Sequence, residues 1–172
     1  MYYNETMKPL IIIGRNADWD AIPKVDAFER WTVSSAYFDH PKETASADKI
    51  FQIHRPSAWE TDIEDIKAKL VIAWDMPRFE DCERLPVKAL LADFGPVFPS
   101  SVNWMLAYAL YLGYGNIILE GMDMKHDTEY GAQRDGFFYM LGVAWARGVK
   151  VLINPTSGVY MAPIIYGVEA GV

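Results

Sequence analysis

The residues best placed for chemistry flank a predicted helix and the apolar strand that follows it. Ser100 and Ser101 open the helix, and Asp123 stands just outside the carboxyl end of the strand, with His126 and Asp127 further on. Unpaired N–H groups at a helix N-terminus favour a phosphate, and an aspartate or a histidine can orient or deprotonate a hydroxyl group. The pattern predicts a site that steadies a phosphate, with Asp123 and His126 as its candidate catalytic residues.

Each of these groups also has a purely structural explanation. One serine is fully accounted for as a helix N-cap, and Asp127 or Thr128 could cap the next helix. Asn103, one turn on, could share a phosphate with the serines. The spacing D-x-x-H-D matches no well-defined metal site, so no metal is predicted. His40 and His54 each follow a strand, and the choice between a ligand contact and a solvated loop histidine stays open.

A second polar turn follows the first apolar block of the chain. Gly14, Arg15 and Asn16 stand where a Rossmann-type domain places its phosphate loop. The turn has neither the G-x-G-x-x-G nor the G-x-x-x-x-G-K-[ST] spacing, so the usual dinucleotide and P-loop chemistries are not predicted. Two alternatives remain: Arg15 or Asn16 contacts a ligand above the sheet, or the turn only ends the strand.

Short apolar blocks alternate with helical periodicity along the chain. Strands are predicted at residues 9–14, 30–36, 49–53, 70–74, 116–120 and 150–153. Helices are predicted at residues 19–25, 62–69, 78–83, from 100 to the glycine at 113, and at 128–147, while 87–91 fits either element. The last helix is expected to bury Phe137, Phe138, Leu141 and Trp145. This alternation predicts an α/β fold, a three-layer Rossmann-like domain with a mostly parallel sheet, which occupies residues 1–172 as one domain.

Composition narrows the class of protein. The chain has 172 residues and a formal net charge of −7, which argues against a nucleic-acid partner bound through its phosphates. The single cysteine, Cys82, fits a reducing compartment. No apolar run approaches the roughly 18 residues that would cross a bilayer. We expect a soluble, cytoplasmic protein without a membrane partner, and a homo-oligomer is left open.

Four stretches, read in order, resemble a known family: IIIGRNADWDAIP, WTVSSAYFDHP, DKIFQIH and FPSSVNWMLAYALYLGYGNIILEGMDM. The family is glycosyltransferase family 42, the bacterial sialyltransferases that use CMP-sialic acid, with the related motility-accessory and hydroxymethylpterin-diphosphokinase-like domains. The most specific piece is ALYLGYGNIILEGMD, from Ala109 to Asp123. The tail NPTSGVYMAPIIYG resembles short members of this group from phage genomes, which implies a phage origin.

The resemblance implies a nucleotide or nucleotide-sugar ligand and no other cofactor. In the family, the first turn and the end of the second strand hold the nucleotide, and the serine or threonine at the helix start approaches its sugar or phosphate. Carried over, the implied contacts are Gly14, Asn16, Ser34, Ser100, Ser101 and Asp123, and Tyr130 stands near a family tyrosine. The family's catalytic histidine lies downstream of this motif, whereas His126 is the last histidine of this chain.

Three functions follow from these observations. The first is an enzyme of the glycosyltransferase or nucleotidyl-transfer kind, with a nucleotide across the strand ends and Asp123 or His126 acting on an acceptor hydroxyl group. The second is a nucleotide-binding or sequestering module without catalysis, which the missing downstream histidine favours. The third is a structural or assembly protein, which the aromatic content of 14% favours.

Overall fold

The computed structural model describes residues 8–23, 26–54, 66, 69–74, 79–123, 129–154, 157 and 159. In this part of the chain, seven strands form one sheet, and every neighbouring pair is parallel. The strands are β1 (Leu10–Ile13), β2 (Glu29–Val33), β3 (Lys49–Gln52), β4 (Leu70–Ile72), β5 (Glu83–Arg84), β6 (Asn116–Glu120) and β7 (Lys150–Ile153). The helices are α1 (Ser34–Asp39), α2 (Pro41–Thr44), α3 (Val87–Phe94), α4 (Ser101–Leu112) and α5 (Arg134–Ala146), and a 3-10 helix (Glu129–Gln133) precedes α5.

The strand order places a topological switch point between β1 and β6. The order is β5-β4-β3-β2-β1-β6-β7, so the chain builds outward from β1 in one direction and later returns to add β6 and β7 on the other side. Such a reversal leaves a crevice outside the carboxyl ends of the two strands that flank it. The prediction of a Rossmann-like α/β domain with a parallel sheet is confirmed, and it locates the expected ligand crevice between β1 and β6.

Both faces of the sheet are covered, which explains the unbroken apolar runs in its strands. All four residues of β1 are fully buried. Alternate residues of β3 separate onto the two faces: Phe51 joins the larger core and lies 6.1 Å from the Tyr108 ring of α4, whereas Ile50 joins a smaller cluster on the other side. The domain therefore has three layers, with the sheet in the middle.

The second predicted strand is shorter than expected. β2 ends at Val33, and Ser34 already begins α1, whereas the prediction continued the strand through Ala36. The apolar and β-branched pattern stops at Val33, and Ser34 is buried against the neighbouring strand, where its hydroxyl group donates to the Gln52 side chain. The chain therefore turns away at the carboxyl edge of the sheet.

The predicted core face of the last helix is partly wrong. α5 begins at Arg134, after the 3-10 helix, and Phe138 and Trp145 are 41% and 57% exposed. The buried face is formed by residues at i, i+3, i+4 and i+7, namely Phe137, Met140, Leu141 and Ala144. Phe138 lies about 100° around the helix from Phe137, outside that face.

Two helix predictions differ from the structure, and one open choice is resolved. Residues 87–91, left open between strand and helix, belong to α3. Residues 19–23 form turns instead of the expected helix. In the other stretch, residue 79 has a 3-10 conformation and residues 80–82 form a turn that leads into β5, so no α-helix is present in its described part. The helix predicted at residues 62–69 lies almost entirely outside the described residues.

No helix in the described part of the chain is long and apolar enough to span a membrane.

A polar network closes the amino ends of the strands, and we call it the amino-end cluster: Glu29, Lys49, Glu83, Tyr108 and Tyr114. The Tyr108 hydroxyl group donates to Glu83 Oε1 at 2.6 Å, and the Tyr114 hydroxyl group donates to Glu29. Lys49 pairs with Glu83. Burial, together with each hydrogen bond to a carboxylate, raises the pKa of Tyr108 and of Tyr114 above the usual tyrosine range. These groups satisfy one another, so we assign the cluster a structural role.

The raised tyrosine pKa values predict a loss of stability at high pH. The native state holds both protons more tightly than the unfolded chain, whose tyrosines titrate near pH 10. The stabilisation is therefore complete below about pH 10 and declines as the pH rises further. Chemical denaturation between pH 7 and 11 should show this decline, and the variant Tyr108→Phe with Tyr114→Phe should show a smaller one while losing about 1–3 kcal/mol at pH 7. Parallel pH profiles for the two proteins would contradict the assignment.

Candidate functional site

A cavity of about 340 Å³ lies at the switch point, outside the carboxyl ends of β1 and β6. Four loops and helix starts form its wall. The described lining comprises residues 14–16, 53–54, 98–102 and 121–123, with Val33, Ser35, Trp104 and Gln133. Of the sequence-predicted residues, it brings together Gly14, Arg15, Asn16, Ser100, Ser101 and Asp123.

Two glycines form the cavity floor where β1 and β6 end. The Gly14 N–H donates to the Glu120 carbonyl oxygen at 2.8 Å. A Cβ atom at Gly14 would lie 2.5 Å from the Gly121 carbonyl oxygen, and one at Gly121 would lie 2.3 Å from the Ala17 nitrogen. Gly121 also has φ +65, a conformation that side chains disfavour. The close approach of the two strand ends therefore requires glycine at both positions.

The N-terminus of α4 forms one wall of the cavity, and its two serines differ in role. Ser100 is the N-cap: its Oγ accepts the Asn103 N–H at 3.4 Å and donates to Asn103 Oδ1 at 2.6 Å. Ser101 is the first helical residue, and its hydroxyl group has no hydrogen-bond partner among the described residues. Ser100 thus acts as a cap, whereas Ser101 presents its hydroxyl group and N–H at the positive end of the helix.

Asn103 supports this wall from below instead of facing a ligand. It is fully buried, and its Nδ2 donates to the Val97 carbonyl oxygen at 3.1 Å. A Cβ atom at Gly136 of α5 would lie 2.6 Å from the Pro99 ring and 3.0 Å from Asn103 Nδ2. Asn103 and Gly136 therefore fix the segment at residues 97–100, which carries the cavity wall. The suggestion that Asn103 shares a phosphate is not supported.

Arg15 lines the cavity while held by a carboxylate from α1. Its Nε contacts Asp39 Oδ2 at 2.5 Å and its Nη2 contacts Asp39 Oδ1 at 3.3 Å, a forked pair. The hydrogen bond from Arg15 holds the pKa of Asp39 below its usual value. The pair fixes the direction of the guanidinium group and offsets its charge. Asn16 is exposed beside it.

Three predicted site residues are not placed in the described lining. Ser34 is buried and turned towards Gln52, and its neighbour Ser35 lines the cavity in its place. His126 lies outside the described residues, and the side chain of Tyr130 does too, although its backbone belongs to the 3-10 helix. Of the two open histidines, His54 lines the cavity, whereas the described lining does not include His40, whose ring lies 6.3 Å from that of Trp19. The described residues contain no cluster of three metal-ligating side chains.

An aromatic pair in the cavity wall was not predicted individually. The rings of Phe98 and Trp104 stack with centroids 3.9 Å apart and an angle of 14° between their planes. The pair joins the loop before α4 to the first turn of that helix. The high aromatic content of the chain was the only signal for this pair in the sequence. Phe98 and Trp104 are six residues apart on either side of a helix start, and this spacing matches neither helical nor strand periodicity.

No protein-family model and no curated protein matches the sequence. Solved structures match its fold. The sialyltransferase CstII from Campylobacter jejuni, in complex with cytidine-5'-monophosphate, has a TM-score of 0.56 at 16% identity, over 88% of this chain and 81% of that chain. The alpha-2,3-sialyltransferase from Campylobacter jejuni in apo form has a TM-score of 0.57 at 14% identity, over 87% of this chain and 76% of that chain.

A third similar structure is the sialyltransferase CST-II in complex with a trisaccharide acceptor and CMP. Its TM-score is 0.56 at 14% identity, over 86% of this chain and 82% of that chain. At this level of identity the likeness concerns the fold alone. It confirms the fold that the sialyltransferase part of the resemblance implies, while the motility-accessory, pterin-kinase-like and phage parts stay predictions. This chain therefore shares the α/β fold of the Campylobacter sialyltransferases.

Proposed function

We propose that this protein binds a nucleotide or nucleotide sugar, with a cytidine nucleotide as the first candidate, in the cavity at the switch point. One observation carries the proposal: the Gly14 turn, the N-terminus of α4 and the Gly121–Asp123 turn converge on the same cavity. Its volume of about 340 Å³ lies within the range of roughly 300–1,000 Å³ typical of small-molecule sites.

The parts of the cavity suggest how such a ligand would lie. The phosphate would sit at the α4 N-terminus, where the Ser101 hydroxyl group and N–H face the positive end of the helix dipole. The stacked pair of Phe98 and Trp104 offers an aromatic surface in the same wall. Support also comes from the fold, since three of the similar structures hold CMP and one holds the analogue CMP-3FNeuAc.

The finer proposal is glycosyl transfer from the nucleotide sugar to an acceptor hydroxyl group. Asp123 is the carboxylate in the described cavity lining, and it would orient or deprotonate that hydroxyl group. The competing proposal is a binding module without catalysis. Release of the sugar from a CMP-sugar donor, with water or an acceptor, separates the two: loss of turnover in Asp123→Asn with CMP affinity retained favours transfer, and binding without turnover favours the module.

Nucleotide binding itself predicts a change in thermal stability. At a CMP concentration one hundred times Kd, the linkage gain is about 2.7 kcal/mol. For a domain of this size we expect the melting temperature to rise by about 5–10 °C. Cytidine, which lacks the phosphate, serves as the control and should give a smaller rise. The absence of any rise with CMP, CDP or UMP at millimolar concentration would contradict the proposal and favour an assembly role.

A further inference from the structure

The backbone of His54 is held from two strands at the edge of the cavity. Its carbonyl oxygen accepts the Gln52 Nε2 group at 2.7 Å and the Trp74 Nε1 group at 2.8 Å. Gln52 ends β3, and Trp74 follows β4. A carbonyl oxygen that accepts two side-chain donors has both lone pairs engaged. The position of residue 54 is therefore fixed more firmly than that of an ordinary loop residue.

The two donors are themselves anchored. Gln52 is 3% exposed, and its Oε1 accepts the hydroxyl group of Ser34, which is also buried. On the other side, Arg84 Nη1 donates to the Trp74 carbonyl oxygen at 2.6 Å. A continuous network of hydrogen bonds thus connects the start of α1 with β5, and its two branches meet at the carbonyl group of His54. Buried polar networks in which both ends of an amide are satisfied give a rigid, specific arrangement.

The imidazole ring of His54 contrasts with this fixed backbone. Residue 54 is exposed and lines the cavity, and neither ring nitrogen has a hydrogen-bond partner among the described residues. The titratable groups in the described lining are Arg15, His54 and Asp123. Arg15 is paired with Asp39, and Arg84 lies beyond Trp74. An imidazole is the side chain that ordinarily changes charge between pH 5 and 8.

We infer that His54, in its protonated form, donates a hydrogen bond to the phosphate of the ligand in the cavity, so that phosphate affinity rises as the pH falls. The ligand class is a phosphate ester such as a nucleoside monophosphate. Ser34, Gln52 and Trp74 are positioning residues that act through the His54 carbonyl group. This inference rests on the proposed function, because it requires a nucleotide in this cavity.

The test compares CMP affinity as a function of pH. Kd is measured by calorimetry between pH 5.5 and 8.0 for the natural protein, His54→Gln and the control His40→Gln. The phosphate of CMP also titrates near pH 6, but this affects the natural protein and both variants equally. The ratio of the variant Kd to the natural Kd at each pH therefore reports the contribution of the imidazole alone. We expect His54→Gln to bind about tenfold more weakly at pH 5.5 and nearly equally at pH 8.0. His40→Gln should follow the natural protein throughout.

The positioning network is tested by Ser34→Ala, which removes the hydrogen bond to Gln52. The affinity for CMP is expected to increase from pH 8.0 to pH 5.5, and we expect this increase to be about threefold smaller in Ser34→Ala than in the natural protein. Kd at pH 8.0 should be unchanged. A merely structural role would lower the melting temperature without changing the pH profile. Identical pH profiles for His54→Gln and the natural protein would overturn the inference while leaving nucleotide binding intact. Failure of the natural protein to bind CMP at any pH would overturn the proposed function and this inference together.

Discussion

Ser101→Asp is expected to weaken CMP binding at least hundredfold while leaving the domain as stable as before or slightly more so. Ser101 is the first residue of α4 and lines the cavity. A carboxylate in the first turn complements the helix dipole and contributes about 0.3–1 kcal/mol to stability. The same carboxylate would face the ligand phosphate. Two like charges about 4 Å apart near a protein surface repel by roughly 4 kcal/mol. Because a tenfold change in Kd corresponds to about 1.4 kcal/mol, this repulsion is more than enough for a hundredfold loss of affinity.

The two effects of this substitution have opposite signs, and that makes the experiment selective. Calorimetry with CMP gives Kd, and thermal unfolding without ligand gives stability. Ser101→Asn is the matched control, with nearly the same shape and no charge, and it should bind CMP within about tenfold of the natural protein. Ser100→Ala should instead lower stability by about 1 kcal/mol, because Ser100 is the N-cap. Undiminished CMP affinity in Ser101→Asp would show that the phosphate does not lie at this helix end.

Gly121→Ala is expected to lower the free energy of unfolding by about 2–5 kcal/mol. Its φ of +65 disfavours a side chain, which accounts for about 1–2 kcal/mol. The new Cβ atom would also lie 2.3 Å from the backbone nitrogen of Ala17, which no side-chain rotation can relieve. Overpacking of this kind typically costs a further 1–3 kcal/mol. The turn after β1 would have to move, so CMP binding should be lost as well.

Two glycines provide matched controls for this prediction. Gly113 has φ +91, but a Cβ atom added there would meet no other atom within 4 Å, so Gly113→Ala isolates the conformational cost of about 1–2 kcal/mol. Gly142 lies within α5 with open space around it, and Gly142→Ala should stabilise the domain by about 0.5–1 kcal/mol. Chemical denaturation of the three variants gives the comparison. Equal destabilisation by Gly121→Ala and Gly113→Ala would contradict the close contact with Ala17.

The sheet was predictable where unbroken apolar runs mark its strands. The four apolar residues of β1 are buried on both faces, and the run in β6 is similarly apolar, so both strands followed from composition alone. The end of β2 was not predictable in this way, because SSAYFD follows β2 without a glycine or proline to mark the change. The decisive contact, from Ser34 to Gln52 of β3, is separated by 18 residues. Local patterns carry no information about such a contact.

The site was predictable to the extent that topology determines it. Parallel strands share one carboxyl edge, so the turn at Gly14, the helix start at Ser101 and the turn at Asp123 were expected to meet, and they do. The role of His54 could not be predicted, because its position depends on side-chain hydrogen-bond donors from two other segments. The stacked pair of Phe98 and Trp104 likewise depends on how α4 follows its loop. These features arise from tertiary packing and have no local signature.

The location of bound CMP can be measured residue by residue. In a protein of 19.5 kDa, amide chemical shifts can be followed by NMR during a titration with CMP. We expect the largest shifts at residues 14–16, 100–102 and 121–123, with smaller changes at residue 54 and none in the amino-end cluster. Shifts that are absent at millimolar CMP, or that concentrate in the amino-end cluster, would contradict nucleotide binding at the switch point.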